Sequence, residues 1–253
     1  MKTDLKDITF LILIRTDSIQ RLENIKCVIE KISQCFDTNI YVLEVSSYQN
    51  TILRRLLKNK IRYEFIRDYD DILYKTQYIN YMVNNIKTPF FSLWDVDIIV
   101  DKKSVISSAC KMREGFDVAY PYNGYCYNVP PVLRDIYLRK KDVRFLYRQM
   151  GKMKLLYERL LVGGALFINK EKFKFCGMEN ENHYGWGNDD FDRYYRFKNL
   201  GMSIYRESVP LFHLYHPRLG NTGFRSKFHM FNTNRELFNV ENSSREEILN
   251  KFL

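Results

Sequence analysis

Two aspartates, Asp95 and Asp97, are separated by one residue and directly follow the apolar run at residues 90–94. Carboxylate oxygens are the ligands that hard divalent cations prefer, so the pair can bind such a cation. The cation could bridge two phosphates of a nucleotide-sugar and stabilise the charge that grows on the departing nucleoside diphosphate. Because side chains alternate along a strand, we expect one aspartate to bind the metal and the other the ribose or a structural partner. The alternative interpretation is a solvated turn that only ends the strand.

A second cluster of acidic residues, at positions 189–192, directly follows Asn188. Asn188 is a favourable N-cap, and acidic side chains in the first turn of a helix are stabilised by the helix dipole. The cluster therefore predicts a helix that begins here and ends before Gly201. Two ion pairs between residues four apart are expected on this helix, Asp189 with Arg193 and Asp192 with Arg196.

The residues before this helix are harder to explain by structure alone. Trp186 lies between Gly185 and Gly187, so a large aromatic ring is held by two flexible residues. Such a ring is a poor choice for a core but can present its face to a sugar. A carboxylate beside it, such as Asp190, could take a proton from a hydroxyl nucleophile as a general base.

In the first half of the chain, apolar runs of strand length alternate with segments whose apolar residues recur at helical spacing. The predicted strands are residues 8–14, 40–45, 63–66, 90–94 and 118–121, and the predicted helices are residues 19–32, 52–57, 72–86 and 105–112. This alternation predicts an α/β fold with a largely parallel sheet, whose ligands bind at the carboxyl ends of the strands. The polar clusters at those ends contain Arg15 and Asp17, Glu44, and the Asp95–Asp97 pair.

The second half is less regular, and we expect strands at residues 165–168, 203–205 and 210–215. The stretch from Arg134 to Arg159 contains nine Lys/Arg and three Asp/Glu, interleaved with apolar residues. This pattern predicts an amphipathic helix with a solvated basic face, or a surface that attracts an anionic membrane or an anionic glycan. The last segment is polar until Ser243, which is expected to form a capping box with Glu246 and to begin a short helix.

Composition excludes several classes of protein. The 253 residues are 45% hydrophobic and 28% charged, with a net charge of +10, unlike a disordered, collagen-like or coiled-coil chain. No Gly-x-Gly-x-x-Gly or Gly-x-x-x-x-Gly-Lys occurs, which argues against dinucleotide-binding dehydrogenases and P-loop NTPases. The five cysteines are widely spaced, and no apolar run approaches the length of about 18 residues that a membrane span needs. We therefore expect a cytoplasmic protein with reduced thiols.

In order along the chain, four segments together resemble motifs of the β-1,4-galactosyltransferase family, of the related polypeptide GalNAc-transferases and of bacterial chondroitin-type polymerases. The segments are Ile14-Arg15-Thr16-Asp17, Trp94-Asp95-Val96-Asp97, Gly163-Gly164-Ala165-Leu166-Phe167 and Tyr184-Gly185-Trp186-Gly187-Asn188-Asp189-Asp190-Phe191-Asp192. The resemblance implies a GT-A fold, which is an α/β fold with a mixed, mostly parallel sheet flanked by helices. It also implies an inverting glycosyltransferase that moves a hexose or N-acetylhexosamine from a UDP-sugar to a hydroxyl group of a glycan or lipid-linked glycan.

The same resemblance implies roles for individual residues. Asp190 matches the catalytic base of the family. Asp97 and His216 match ligands of Mn²⁺ or Mg²⁺, with His213 as the alternative histidine. The residues implied to bind the nucleotide-sugar are Arg15, Asp17, Glu44, Asp95, Gly164 and Trp186, and those implied to bind the acceptor are Tyr184, Trp186 and Asp189.

The chain departs from the family pattern at four positions. Asp17 stands where the family has a second arginine, and Asp189 is one methylene shorter than the family's glutamate. Asn188 replaces a glycine, and Phe191 replaces an aspartate. The nucleotide contacts and the acceptor pocket are therefore expected to differ from those of the family, whereas the base and the metal ligands are kept.

We expect a single domain with a nucleotide-sugar half at residues 1–122, an acceptor-binding and catalytic half at residues 123–220 and a C-terminal tail at residues 221–253. The expected setting is bacterial capsule or O-antigen synthesis in the cytoplasm, with the stretch from Arg134 to Arg159 holding the enzyme at the inner face of the plasma membrane. Two alternatives are a catalytically silent module that binds a nucleotide or glycan, and a basic peripheral-membrane binding protein. Nucleic acid is not an expected partner, because no motif of nucleic-acid-binding proteins accompanies the basic charge.

Overall fold

The structure is a computed structural model that describes residues 1–57, 61–185, 187–217, 224 and 226–252. In this part of the chain, a seven-stranded sheet and a four-stranded sheet share a continuous hydrophobic core. The predicted alternation of strands and helices in the first half is confirmed. None of the helices in the described ranges is both long and apolar enough to cross a membrane.

The elements follow one another with short connections. Those of the first half are β1 (Thr3–Ile14), α1 (Ile19–Cys35), β2 (Phe36–Ser46), α2 (Thr51–Leu56), β3 (Arg62–Arg67), α3 (Lys75–Asn84), β4 (Phe90–Trp94), β5 (Ile98–Ile99), α4 (Lys102–Arg113) and β6 (Val118–Tyr120). The later ones are β7 (Cys126–Val129), α5 (Pro131–Lys140), α6 (Val143–Arg148), a 3₁₀ turn (Met150–Lys152), β8 (Lys154–Leu155), β9 (Ala165–Asn169), α7 (Lys170–Phe175), α8 (Asp189–Asn199), β10 (Ile204–Arg206), β11 (Leu211–Leu214), α9 (Lys227–Asn242) and α10 (Arg245–Phe252).

The large sheet is mixed and mostly parallel, as predicted. Its strand order is β10, β6, β9, β4, β1, β2, β3. β1 is parallel to both β2 and β4, and β2 is parallel to β3, whereas β9 runs antiparallel to its neighbours β4 and β6. The small sheet has the order β5, β11, β7, β8. The carboxyl ends of β1, β2 and β4 therefore meet at one edge of the large sheet.

The middle of β1 is buried on both faces. The ring of Phe10 is fully buried and lies against the rings of Trp94 and Phe167. At the end of β1, the hydroxyl of Ser18 accepts a hydrogen bond from the backbone N–H of Arg21 and caps α1. The sequence thus turns from strand to helix at the sheet edge where ligands are expected.

The basic stretch does not form the single amphipathic helix that was predicted. It contains two short helices, α5 and α6, then the 3₁₀ turn and β8. The break occurs at Lys141, which has a φ of +53° and cannot continue an α-helix, and Asp142 then caps α6. Arg134 is buried rather than on a basic surface, since its guanidinium bonds Glu23 and Asn24 of α1.

The final segment contains more structure than its polar sequence indicated. The helix α9 was not predicted, because few of its residues are buried and its apolar residues do not form a continuous stripe. The capping box is formed by Ser244 and Glu247 instead of Ser243 and Glu246. The side chain of Asn199 at the end of α8 donates to the backbone carbonyls of Val240 and Ser243, which docks the final helices on α8.

Candidate active site

A cavity of about 260 Å³ lies at the carboxyl end of β4, beside the loops that precede β9 and α8. Its wall brings together the two aspartate clusters, which are far apart in the sequence. The acidic and imidazole side chains that line it are Asp95, Asp97, Asp189, Asp190, His213 and His216. The cavity therefore lies where ligands of α/β sheets bind.

Asp97 faces two histidines on and just after β11. The Nε2 atom of His216 is 3.1 Å from Oδ2 of Asp97, and Nε2 of His213 is 3.8 Å from the same oxygen. One ligand atom from each of the three side chains lies within 4.8 Å of the others. One carboxylate and two imidazoles at this spacing could hold a divalent cation. Both histidines share this arrangement, so the structure does not single out His216.

Hydrogen bonds to the backbone fix this cluster from two sides. The N–H of Leu214 donates to the carbonyl of Asp97 at 2.8 Å, which joins β11 to the turn after β4. On the other side, the amide of Asn24 donates to the carbonyls of Leu214 and Tyr215 at 3.3 and 3.2 Å. Asn24 itself is fully buried and accepts a hydrogen bond of 2.9 Å from Nε of Arg134. The backbone between the two histidines is therefore held in place by α1 and α5.

The charges around Asp97 keep it ionised. Burial favours its neutral form, but the charges of His213 and His216 outweigh burial and lower the pKa of Asp97 to about 2. The guanidinium of Arg21 adds to this effect, and its Nη2 lies 3.3 Å from Nδ1 of His216. Asp97 therefore carries its negative charge near neutral pH, which a carboxylate ligand of a metal requires.

Asp95 also lines the cavity, two residues before Asp97. Its backbone N–H donates to the carbonyl of Gly164 at 2.8 Å, which fixes the loop before β9 against the end of β4. Gly164 has a φ of +81°, a conformation that favours glycine. Burial raises the pKa of Asp95 to about 7, reinforced by the other carboxylates of the cavity and opposed by the ammonium group of Lys75.

The carboxylate of Asp190 is held by two cations. It bonds the buried guanidinium of Arg193, and its Oδ1 lies 3.7 Å from Nζ of Lys75. Burial raises the pKa of Asp190, but the positive charges of Lys75 and Arg193 outweigh burial and lower it. Asp190 is therefore ionised near neutral pH and still 22% exposed, so it can accept a proton from a group inside the cavity.

The ion pairs formed by the side chains of α8 agree only in part with the predicted ones. The expected pair of Asp192 with Arg196 is confirmed, with 2.6 Å between Oδ1 and Nε. The expected pair of Asp189 with Arg193 is wrong, because Arg193 binds Asp190 and a buried glutamate, whereas Asp189 lies 3.1 Å from Nζ of Lys75. Spacing along a helix allows both the i,i+3 and the i,i+4 pair, so it does not fix which aspartate binds Arg193. Here Lys75 of α3 binds Asp189, and Arg193 binds Asp190.

Asn188 occupies the N-cap position of α8, but its side chain does not cap the helix. Its amide nitrogen donates to the side chain of Asn234 in α9 at 2.7 Å. The N-terminal turn of α8 is thus tied to the helix that sequence analysis did not predict.

Comparison with known proteins supports a relationship to galactosyltransferases. A family model described as the N-terminal domain of galactosyltransferase matches residues 147–217. Beta-1,4-galactosyltransferase 7 of Homo sapiens is 21% identical over 130 residues, which cover 51% of this chain and 31% of that protein. The Mus musculus protein of the same name matches with the same identity and coverage. The match thus spans about a third of the length of these curated relatives.

Among solved structures, the crystal structure of GalNAc-T7 with UDP, GalNAc and Mn²⁺ has a TM-score of 0.58 and 13% sequence identity, over 92% of this chain and 47% of that chain. The chain has a GT-A fold, which it shares with that structure, and its residues 147–217 are similar to a galactosyltransferase domain. The resemblance that its four sequence segments indicated is confirmed, and so is the predicted fold.

Three of the predicted nucleotide-sugar residues do not line the cavity. Arg15 donates to two backbone carbonyls and to Asp68, and Asp17 accepts from Arg21. Glu44 is fully buried and accepts hydrogen bonds from the backbone of the N-cap residue of α2. Their contacts with a nucleotide-sugar stay a prediction, and each side chain already has a partner within the protein.

The acceptor loop is described only in part. Trp186 lies outside the described residues, whereas Gly185 and Gly187 on either side of it line the cavity. Tyr184 does not line the cavity, and its hydroxyl donates to Asp70. The predicted acceptor contacts of Trp186 and Tyr184 therefore stay predictions.

Several residues that line the cavity were not among the predicted site residues. They are Arg21, Lys75, Tyr157, Arg159 and Phe191. The guanidinium of Arg159 lies 3.7 Å from the centre of the Phe191 ring. Arg21 could have been found, since it lies in the first turn of α1 and is four residues from Asp17. No local signal marks Lys75, because its partners lie more than a hundred positions away in the sequence.

Proposed function

We propose that this protein is an inverting glycosyltransferase that moves a hexose or N-acetylhexosamine from a UDP-sugar to a hydroxyl group of a glycan or lipid-linked glycan. The supporting observation is that one cavity holds both the Asp97–histidine cluster and the Asp190 carboxylate. Relatives named as galactosyltransferases, and a relative of the same fold solved with UDP, GalNAc and Mn²⁺, agree with the proposal. The division into a donor half at residues 1–122, an acceptor half at residues 123–220 and a tail at residues 221–253 belongs to the same proposal.

Asp97, His213 and His216 would hold the divalent cation of such an enzyme, Mn²⁺ or Mg²⁺. Two imidazoles beside one carboxylate favour Mn²⁺, because Mg²⁺ prefers oxygen ligands. When bound, the cation would stabilise the negative charge on the diphosphate of the departing UDP. The protein's own contribution is to hold the three donors within 4.8 Å of one another before any ligand binds.

Asp190 would accept the proton of the acceptor hydroxyl as that oxygen attacks the anomeric carbon of the donor. The new glycosidic bond forms on the face opposite UDP, and the bond from the anomeric carbon to the phosphate oxygen breaks with its electron pair leaving on UDP. The ionised state of Asp190 and its place in the cavity wall support this role. Trp186 is proposed to stack on sugar, with Asp189 and Tyr184 on the acceptor side.

We also propose that the enzyme works in the cytoplasm at an anionic membrane surface, in bacterial surface-polysaccharide synthesis. Of the nine Lys/Arg between Arg134 and Arg159, all except Arg134 are solvent-exposed. Exposed basic side chains attract anionic lipid headgroups by about 1 kcal/mol each. A lipid-linked acceptor would be found at the same surface.

The second candidate is a catalytically silent module that binds a nucleotide or glycan. It is favoured by the two cations on Asp190, because a carboxylate with a lowered pKa is a weaker base. The two candidates differ in turnover and share the expectation of nucleotide binding.

The deciding experiment is calorimetric titration with UDP, with and without Mn²⁺, followed by transfer assays with a set of UDP-sugars. We expect metal-dependent UDP binding in the wild type and a loss of about 100-fold or more in Asp97→Ala, since one of three metal ligands is removed. Asp190→Asn should bind UDP nearly as well as the wild type, while transfer falls by about 100-fold to 10,000-fold.

The matched control is Asp37→Ala, which removes an exposed aspartate paired with Lys6 far from the cavity. It should leave both UDP binding and transfer unchanged. UDP binding without turnover of any UDP-sugar would favour the silent module. No binding of UDP with or without Mn²⁺ would contradict the glycosyltransferase and the nucleotide-binding module alike.

A further inference from the structure

The ammonium group of Lys75 lies near carboxylates of both aspartate clusters of the cavity. Lys75 is the first residue of α3, and its Nζ is 3.1 Å from Oδ2 of Asp189 and 3.7 Å from Oδ1 of Asp190. Its positive charge also acts on Asp95, after β4. One side chain from the first half of the chain thus neutralises carboxylates that belong to both aspartate clusters.

The second cation beside Asp190 has a different setting. Arg193 is fully buried in α8 and shares its guanidinium between Asp190 and the fully buried Glu179. The positive charge of Arg193 is therefore largely balanced by Glu179, behind the cavity wall. Among the described residues, the ion pairs of Lys75 are with cavity carboxylates, and its side chain is 28% exposed and lines the cavity.

The carboxylate of Asp190 lies directly against the backbone of Gly163. A Cβ atom on Gly163 would lie 2.0 Å from Oδ2 of Asp190, so the carboxylate occupies the space over the bare glycine backbone. With Gly163 below it, Arg193 behind it and Lys75 at its cavity side, the orientation of Asp190 depends on all three.

We propose that Lys75 is a positioning residue that binds Asp189 and Asp190 together and holds the Asp190 carboxylate in its cavity-facing orientation for proton transfer. The proton-transfer part of this inference rests on the proposed function. The contacts of Lys75 with Asp189 and Asp190 do not depend on that function. Lys75 also joins α3 to α8, so that the carboxylates keep their place relative to Asp95 and the end of β4.

The charge of Lys75 has a consequence for pH. Burial and the other carboxylates favour a neutral Asp190, and Lys75 and Arg193 oppose them, so that removal of the ammonium group raises the pKa of Asp190. The titratable and charged groups that face Asp190 from the surrounding elements are Lys75, Asp95, Tyr120, Tyr122, Glu179, Asp189 and Arg193. The two tyrosines stay neutral because burial raises their pKa. Lys75 is therefore the positive charge in this set that one substitution removes without opening the buried Arg193–Glu179 pair.

The test compares Lys75→Gln, which removes the charge, with Lys75→Arg, which keeps it. In the full chain, the carboxyl group of Asp190 is titrated by ¹³C NMR on protein labelled at aspartate carboxyl carbons, with the signal assigned from Asp190→Asn. We expect the midpoint of Asp190 to rise by about one pH unit in Lys75→Gln and to stay near the wild-type value in Lys75→Arg. In Lys75→Gln, the acid limb of the pH profile of kcat/KM for sugar transfer should move to higher pH by the same amount. At a pH below that limb, kcat/KM should therefore be about tenfold lower than in the wild type.

The matched control is Lys172→Gln, which removes a lysine paired with Asp117 at 3.5 Å, away from the cavity. It should change neither the midpoint nor the acid limb. An unchanged midpoint of Asp190 in Lys75→Gln, or a loss of transfer by the same factor at every pH, would overturn the proposal.

If Lys75→Gln does not fold, the double variant Lys75→Gln/Asp189→Asn leaves no carboxylate unpaired at Asp189, and the midpoint of Asp190 should be higher in it than in Asp189→Asn alone. The NMR titration needs no turnover. Absence of transfer from every UDP-sugar would therefore refute the proposed function, while the midpoint of Asp190 still decides the role of Lys75.

Discussion

At the scale of single residues, Gly163 has a steric role next to Asp190. Any side chain at this position would overlap the Asp190 carboxylate, since a Cβ atom would come within 2.0 Å of Oδ2. The flexible end of an aspartate can move away from such a clash more easily than a backbone can. The first glycine of the Gly163–Gly164 pair therefore controls where the carboxylate lies, and the second supplies the left-handed turn into β9.

Gly163→Ala is expected to displace Asp190 without unfolding the protein. A shift of about 1 Å in a reacting group can cost about 100-fold in rate, so transfer should fall by that order while UDP binding is kept. Steady-state kinetics and UDP calorimetry measure the two effects. Gly151→Ala is the control, because a Cβ atom there meets nothing within 4 Å. Full activity of Gly163→Ala would show that the position of Asp190 is not critical.

At the scale of elements, α1 and α5 support the histidine strand. The buried Asn24 of α1 donates to the two backbone carbonyls between His213 and His216, and it is itself held by Arg134 of α5. Arg134 is 3% exposed, and its guanidinium also reaches Glu23. A basic residue that composition assigned to a surface thus acts inside the fold, as support for the candidate metal ligands.

Arg134→Met should lower the free energy of unfolding by about 1–3 kcal/mol, because it leaves the buried Oδ1 of Asn24 without a donor. Urea unfolding measures this loss, and Mn²⁺ titration should show weaker binding in the same variant. Arg144→Met is the matched control, since the side chain of Arg144 is 81% exposed, and it should change stability by less than about 0.5 kcal/mol. Equal stability of the two variants would contradict the structural role of Arg134.

At the scale of the whole molecule, the net charge of +10 is unevenly distributed. Eight exposed Lys/Arg lie on the short elements between α5 and β9, where the chain also lines the cavity through Tyr157 and Arg159. A surface of this kind would hold the cavity close to an anionic bilayer. Screening by salt should weaken that attraction, because exposed charges lose most of their interaction beyond a Debye length of about 8 Å.

Vesicle binding tests this surface directly. We expect cosedimentation with phosphatidylglycerol vesicles, weaker binding at higher salt, and little binding to phosphatidylcholine vesicles. Changing Arg139, Lys140, Arg144 and Arg148 to glutamine should weaken binding at least tenfold, since each charge contributes about 1 kcal/mol.

The control for that experiment removes four exposed lysines elsewhere, at Lys2, Lys26, Lys103 and Lys198, and lowers the net charge by the same amount. It should bind nearly as well as the wild type. Equal losses in the two variants would mean that only net charge matters, and the proposed membrane surface would be wrong.

The strands of the central sheet, and the sheet edge at which the site lies, could be predicted from the local pattern of apolar residues. The apolar runs that became β1, β2 and β4 are buried on both faces, and their lengths and the helices between them depend on neighbouring residues alone. The position of Asp95 and Asp97 after β4 followed for the same reason. The helix α9 did not follow, because its docking on α8 uses side-chain amides that have no periodic apolar signal.

The sequence by itself determined the α/β class, the aspartate pair at the end of a buried strand, and the order of the four segments that resemble galactosyltransferases. Only the tertiary structure decided that both histidines face Asp97, that Lys75 rather than Arg193 pairs with Asp189, and that Arg134 is buried. The physical reason is distance along the chain. Strand and helix patterns arise between residues a few positions apart, whereas these contacts join residues about 100 or more positions apart and form only when the elements pack.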